Sequence, residues 1–340
     1  MKIAFFDSKP YDISSFIQYK DENLEFKFYE TRLNIDTVAL AAGSDAICIF
    51  VNDTCNAEII DRLVQYGIKL IVLRCAGYNN VDINYCYKKI RVMHVPAYSP
   101  YAVSEHAMAL LLTSVRRIHK AYNRVRDFNF SLNDLTGFDL HNKTIGVIGT
   151  GKIGKCFIEI CRGFGMNIIA YDPFPNGEYN YVSLENLFEN SDIISLHCPL
   201  TDDTFHLINT HSIDKMKKGV IIINTSRGAL IDSNALLDGI KSRKIGAACL
   251  DVYEEEADIF YHDNSNHILN DDTLARLISM PNVIITSHQA YLTREALDNI
   301  AQTTIKNIYA FKNGEFSENE LCYHCPKIEY CKGKRDKKCF

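Results

Sequence analysis

The 340-residue chain reads as an α/β protein built on two doubly wound parallel sheets, one domain inserted into the other. Three observations predict this. Short apolar runs of strand length alternate with helix-patterned stretches along most of the chain. The segment Thr144–Gly154, TIGVIGTGKIG, joins a buried-strand pattern to a helix through three glycines. Polar residues recur just past the apolar runs, where open parallel sheets bind their ligands. The length suits about two domains, each with a sizeable core.

Taken in order, Lys2–Phe6, Ala46–Val51, Leu70–Leu73 and Val92–Val95 are strand candidates. Helix-like spacing in Asn56–Tyr66 makes the first hundred residues a small parallel layer. RCAGYNNVD, from Arg74 to Asp82, follows a strand end and can offer backbone N–H groups to an anion or serve as a simple turn. The prolines of HVPAYSP, from His94 to Pro100, bracket a domain crossing. Ala102–Arg126 then reads as one long helix leading into the second domain. There the apolar runs Asp192–His197, Val220–Thr225, Gly246–Asp251 and Val283–Thr286 alternate with helical Ser212–Lys218 and Asn234–Ser242. A last helical pattern, Arg294–Lys312, returns the chain to the first domain, so that two hinge strands would permit closure over a substrate. The expected division is 1–99 with 295–320, an inserted 100–294, and a tail at 321–340.

The glycine segment carries the first chemistry. Ile145–Ile148 has the pattern of a doubly buried strand, Lys152–Phe164 that of a helix ending at Gly165, and Asn167–Tyr171 that of a second strand. Gly149 suits a tight turn, Gly151 close approach of a pyrophosphate, and Gly154 close packing of helix on strand. Thr150 and Lys152, within the same turn, are expected to bind the cofactor with it. The helix N-terminus offers free N–H groups to phosphates. Asp172, at the end of the second strand, can accept the ribose hydroxyls and would repel a 2′-phosphate, which favours NAD over NADP.

Further polar groups follow the strands: His197, Arg227, Asp251 with Glu256, and His288 are expected to converge on the same crevice as Asp172. Arg227, in NTSRG, has the forked guanidinium that matches a carboxylate. His288, after VIITS, is a group that can move a proton near neutral pH, and a carboxylate hydrogen-bonded to it favours the proton-donating form. Glu256 is the expected partner, whereas Glu254 and Glu255 read as solvated charges. Together these parts describe hydride transfer from NADH to a ketone carbon, with His288 protonating the oxygen and Arg227 holding the adjoining carboxylate.

The net charge of −5 gives no electrostatic reason to expect nucleic acid or an anionic membrane. No apolar run approaches the ~20 residues of a membrane span, and MKIAFFDSK lacks the apolar core of a signal peptide, so a cytoplasmic protein is expected. Eight of the 12 cysteines lie in apolar segments and read as buried, reduced thiols.

On the motifs RCAGYNNVD, YSPYAVSEHA, GVIGTGKIG, LHCPLT, INTSRGALID, LDVYEEE and TSHQAYLTREAL, the chain resembles the D-isomer-specific 2-hydroxyacid dehydrogenases over its first 320 or so residues. It is similar in particular to the fermentative D-lactate enzymes at Leu250–Glu256 and Ser287–Leu297. The resemblance implies a Rossmann NAD-binding domain inserted into a flavodoxin-like substrate domain, and Arg227, Glu256 and His288 as the catalytic set. It implies substrate contacts at Tyr98, Ala76, Gly77 and Tyr291. It places Ile153, Asp172, Cys198, Pro199, Thr204, Thr225, Ser226, Arg227 and Asp251 on cofactor positions, with Thr204 where asparagine is common and Tyr291 where phenylalanine is common. A homodimer through the nucleotide domain is likewise implied. Pyruvate reduction to D-lactate is the expected activity; bulkier 2-keto acids, or NAD sensing without turnover, are the alternatives. No metal is expected in the active site.

The resemblance gives no account of the end of the chain. Cys322, Cys325, Cys331 and Cys339 stand as C-x2-C-x5-C-x7-C among Lys332, Lys334, Arg335, Lys337 and Lys338. Four thiolates, with His324 as a substitute, could hold zinc tetrahedrally; the alternative is a basic tail of reduced thiols.

Overall fold

The apolar runs become the central strands of two separate six-stranded sheets in the computed structural model, which describes every residue except Lys20, Glu178, Ala257, Asp258, Phe316 and 322–340. The chain divides into two units: Met1–Ser99 with the segment from Thr293 onward, and Pro100–Leu292.

In the first unit the chain runs through β1 (Lys2–Phe5), α1 (Pro10–Ile17), β2 (Glu25–Phe28), β3 (Ala46–Ile49), α2 (Ala57–Gln65), β4 (Leu70–Leu73), α3 (Ile83–Cys86) and β5 (Arg91–Met93). It ends with α11 (Arg294–Lys312) and β12 (Glu320–Leu321). The sheet order is β12-β5-β4-β3-β1-β2, parallel except for β12, so the first five strands follow the flavodoxin-like order. β3 and β4 are buried at every residue, which explains their unbroken apolar runs. β2 is absent from the sequence expectations because it is an edge strand whose Glu25 and Lys27 are charged. Its Phe26 and Phe28 pack on Phe5 at ring distances of 6.4 and 5.0 Å. The last expected strand of this layer shifts to Arg91–Met93, and Val95 instead bonds to the Cys75 carbonyl.

The second unit contains α4 (Pro100–Val115), α5 (Ile118–Arg126), β6 (Thr144–Ile148), α6 (Lys152–Gly163), β7 (Asn167–Tyr171), α7 (Leu184–Asn190) and β8 (Ile193–Leu196). It continues with α8 (Thr210–Lys215), β9 (Val220–Asn224), α9 (Ser233–Lys241), β10 (Ile245–Leu250), α10 (Asp272–Ser279) and β11 (Val283–Ile285). All strands are parallel in the order β11-β10-β9-β8-β6-β7. Side chains alternate across this sheet. Val220 and Ile222 of β9 enter one core cluster, with Leu187, Leu236 and Leu274. Ile221 and Ile223 enter the other, with Ala107, Met108 and Leu111 of α4 and Phe157 of α6. The chain leaves β6 for β7 on one side and returns to β8 on the other. The turn after β6 therefore sits at the topological switch point, where doubly wound sheets open a crevice.

The single long helix expected over Ala102–Arg126 is two helices. Arg117 takes φ +55° and ends the first, and the ladder restarts with the Ala121 amide on the Arg117 carbonyl. Gly137 packs against the end of α4 so closely that a Cβ there would lie 2.0 Å from the Val115 carbonyl oxygen. No glycine or proline in Val115–Ile118 marks this break.

Among the described residues no helix is long and apolar enough to cross a membrane, and no group of three or more His, Cys, Asp or Glu is arranged to hold a metal ion. Cys322, Cys325, Cys331, Cys339 and His324 lie outside the described residues.

Candidate active site

The three glycines after β6 hold three different environments. Gly149 has φ +93°, and a Cβ on it would lie 2.6 Å from the His197 carbonyl. A Cβ on Gly154 would lie 2.0 Å from the Gly149 carbonyl oxygen, so α6 is pressed onto the turn. Gly151 caps α6 with no side-chain bond, and a Cβ there would meet nothing within 4 Å. The one glycine facing open space is therefore the one at the exposed helix N-terminus, beside exposed Lys152 and half-buried Ile153.

Asp172, just past β7, accepts bonds on Oδ2 from the Thr150 amide (2.7 Å) and hydroxyl (3.1 Å), and on Oδ1 from the Phe174 amide (2.9 Å). Burial pushes its pKa up, but these donors outweigh it and hold the carboxyl below its ordinary value. Two of these donors are backbone amides, which fix the carboxylate in place while acceptor positions remain for ribose hydroxyls. Thr225, directly past β9, is 8 % exposed, and its hydroxyl oxygen is enclosed without a partner among the described residues, as an unfilled ligand contact would be. Cys198 is buried, with its thiol pushed up to about 11 by burial, and Pro199 is exposed. The Thr204 hydroxyl is taken up in its own turn, bonded to the Pro199 carbonyl (2.7 Å) and the Thr201 amide (2.7 Å).

Arg227, Glu256 and His288 follow the neighbouring strands β9, β10 and β11. Parallel strands lie about 4.8 Å apart, so all three emerge along one short stretch of the sheet's carboxyl edge. The Arg227 loop is fixed by the Asn224 side chain, which donates to the Arg227 carbonyl (2.8 Å) and accepts the Ser226 amide (3.0 Å). The Ser226 hydroxyl donates to the Leu196 carbonyl at 3.0 Å. Gly228 lets this loop touch the next one: a Cβ there would lie 2.0 Å from the Tyr253 carbonyl group. The Arg227 guanidinium donates to the Ser226 carbonyl (2.7 Å), and among the described residues no carboxylate pairs with it.

His288 Nδ1 stands 2.6 Å from Glu256 Oε1, whose other oxygen accepts the Tyr253 amide at 2.8 Å. A carboxylate only accepts, so Nδ1 carries the bonded proton and Nε2 is the nitrogen left for chemistry. His288 has φ +53°, which costs a non-glycine residue about 1–2 kcal/mol. The conformation is held by its amide on the Asp251 carbonyl (2.7 Å) and by the Tyr261 hydroxyl on its own carbonyl (2.9 Å).

Two sequence expectations are corrected here. His197 does not join the crevice, because its ring turns inward beneath the glycine turn. Nε2 is 2.8 Å from Ser195 Oγ, Nδ1 is enclosed, the Phe157 ring is 4.9 Å away, and burial pushes its pKa down to about 3. Glu254 is not a solvated charge: it pairs with His206 Nε2 (2.5 Å) and accepts the Ser233 hydroxyl (3.0 Å). Glu255 is exposed as expected. Asp251, just past β10, has no exposed surface, and its oxygens bond to neighbouring groups. They accept the Thr286 hydroxyl (2.5 Å) and the Gln289 and Ala290 amides (2.9 and 2.8 Å).

In the first unit Ala76 and Gly77 are half-buried, and among the described residues their amides have no backbone acceptor. The Ala76 carbonyl accepts from His94 Nδ1 (3.0 Å) and the Gly77 carbonyl from the Cys75 thiol (3.2 Å), a pair of anchors that the sequence reading did not single out. Half-buried Tyr98 lends its carbonyl to Asn299 (2.8 Å), and Tyr291, in the second unit, is 7 % exposed.

Comparison with known proteins shows the family and the fold. The sequence profile of the D-isomer specific 2-hydroxyacid dehydrogenase, NAD binding domain, matches residues 108–290. The chain is 49% identical over 94% of its length to 98% of a 2-hydroxyacid dehydrogenase homolog from Haemophilus influenzae. It is 47% identical over 94% of its length to the whole of D-lactate dehydrogenase from Escherichia coli. The apo-structure of the Escherichia coli enzyme superposes with a TM-score of 0.87, covering 94% of this chain and 100% of that one at 46% identity. The glycine turn, the bare α6 N-terminus, Asp172 and the unpartnered Thr225 hydroxyl fit NAD. The chain belongs to the D-isomer-specific 2-hydroxyacid dehydrogenases and is an NAD-dependent oxidoreductase of that family.

Proposed function

We propose that the protein reduces pyruvate to D-lactate, with Arg227, Glu256 and His288 as its catalytic residues. The observation that carries this reading is the Nδ1–Glu256 bond of 2.6 Å, which leaves His288 Nε2 as the one ring position able to exchange a proton. Bound NADH supplies the hydride. The Arg227 guanidinium, free of any carboxylate partner among the described residues, takes the substrate carboxylate in a bidentate grip and fixes the adjoining carbonyl. His288 delivers its Nε2 proton to the carbonyl oxygen as hydride reaches the carbon, and recovers it from water afterward. Glu256 keeps the ring oriented and offsets its positive charge. Gly149–Gly154 and Asp172 hold the dinucleotide, with Cys198, Pro199, Thr204, Thr225 and Ser226 as further contacts. Ala76, Gly77, Tyr98 and Tyr291 complete the proposed substrate contacts.

The same reading includes a homodimer through the second unit, supported by the apolar side chains Ile118, Tyr122 and Val125, which stand exposed on α5. It also places the protein in a reducing cytoplasm, supported by eight free cysteines among the described residues. The test of substrate is kcat/KM with NADH for pyruvate, 4-methyl-2-oxopentanoate and phenylpyruvate. Preference for pyruvate with D-lactate as product is expected. Preference for the bulky acids would keep the mechanism and change the substrate, and failure on all three would leave a protein that binds NAD without turnover.

A further inference from the structure

α4 brings a second histidine to the carboxyl edge of the second sheet. His106 Nε2 lies 3.1 Å from Thr286 Oγ1 and 3.4 Å from Asp251 Oδ1. The Thr286 hydroxyl donates its one proton to Asp251 Oδ1 at 2.5 Å, so toward His106 it can only accept. The Asp251 carboxylate only accepts as well. Both constraints put a proton on His106 Nε2, shared between the two oxygens.

Asp251 is the hub of the loop that carries His288. Its carboxylate takes the amides of Gln289 and Ala290, and its carbonyl takes the amide of His288. It is wholly buried, and burial pushes its pKa up. His106 and Thr286 lead the donors that outweigh this and hold the carboxyl below its ordinary value. His106 also sits on a rigid support, since its neighbours Ala107, Leu110 and Leu111 are built into the core beneath the sheet.

We propose that His106 is a positioning residue for the reaction: through Asp251 and Thr286 it sets the 286–290 loop and aims His288. This inference rests on the reading of His288 as the proton donor. It needs no contact between His106 and the substrate. A donor lost from a buried carboxylate lets the loop relax, and small displacements of a catalytic group are costly in rate.

The test compares His106→Leu, which removes the donor, with His106→Gln, whose amide can reach the Nε2 position. Both are measured for kcat, for KM with pyruvate and for NADH affinity, with thermal unfolding as a check on folding. The expected result is a fall of about tenfold in kcat for the leucine variant, with KM and NADH affinity unchanged and most of the rate restored by glutamine. Unchanged kcat in His106→Leu overturns the proposal. So does an equal loss in both variants, or a loss spread evenly over kcat, KM and NADH affinity, since either marks a packing role. His288→Ala measured alongside separates the two layers: if it retains turnover, the proton-donor reading itself fails.

Discussion

A histidine tied at Nδ1 has one nitrogen left, and at His288 that constraint comes from a single carboxylate 2.6 Å away. Arg227 is the complementary case, a cation with no carboxylate partner of its own among the described residues. Arg227→Lys keeps the charge but loses the fork, so kcat/KM for the keto acid should fall by about tenfold or more while NADH affinity holds. Steady-state kinetics with unchanged values would remove Arg227 from the site. His197 makes a separate prediction about pH. Its pKa is about 3 in the folded chain, against about 6.5 for a free histidine. Above pH 6.5 both states are neutral and the group contributes nothing to pH dependence. Below that the unfolded chain takes a proton that the folded chain refuses, so stability falls by up to about 1.4 kcal/mol per pH unit from this residue alone. His197→Gln, which keeps a donor for Ser195, should flatten the change in urea midpoint between pH 7.5 and 5. An unaltered slope would show that another group sets it.

At the scale of the element, the β6–α6 turn was legible because each glycine is required for a different reason, and those reasons differ in outcome. Gly154→Ala forces a Cβ to 2.0 Å from the Gly149 carbonyl, so it should cost about 1–3 kcal/mol of stability as well as NADH affinity. Gly151→Ala meets nothing within 4 Å, so its thermal midpoint should stay within the small cost of a lost glycine cap while NADH binding weakens. Calorimetry and NADH fluorescence titration separate the two. Full NADH affinity in Gly151→Ala would mean that the phosphates do not approach there. The places of Arg227 and His288 just past strand ends were likewise readable, since each comes shortly after an apolar run that forms a strand, β9 buried throughout and β11 at the sheet edge. Elements whose signal lies outside the local sequence were not. The α4–α5 break lies where Gly137, distant in sequence, packs against Val115, β2 is an edge strand of mixed polarity, and His106 is a half-buried polar residue of α4 whose partners are far along the chain. The inward turn of His197 is equally invisible from its place past β8, where a ligand-facing residue would also stand.

Over the whole molecule, both sheets could be anticipated from β-α alternation, and the family comparison and the observed strand orders agree with that reading. The proposed dimer rests on apolar side chains that the second unit leaves exposed. α5 has no buried residue, and Ile118, Tyr122 and Val125, spaced as one helical face, are exposed together with Phe128, Phe130 and Leu132 just beyond. A second copy of the chain covering this face is expected to give a dimer in sedimentation velocity, and a Tyr122→Glu, Val125→Glu variant should sediment as a monomer. A wild-type monomer at all concentrations would contradict it.

The measurement that tests the central claim most directly is turnover of pyruvate by His288→Ala, with NADH binding titrated on the same sample. A loss of about 10²–10⁴ in rate with NADH affinity intact is expected. Turnover near that of the unaltered protein would contradict it and would move proton transfer to another group.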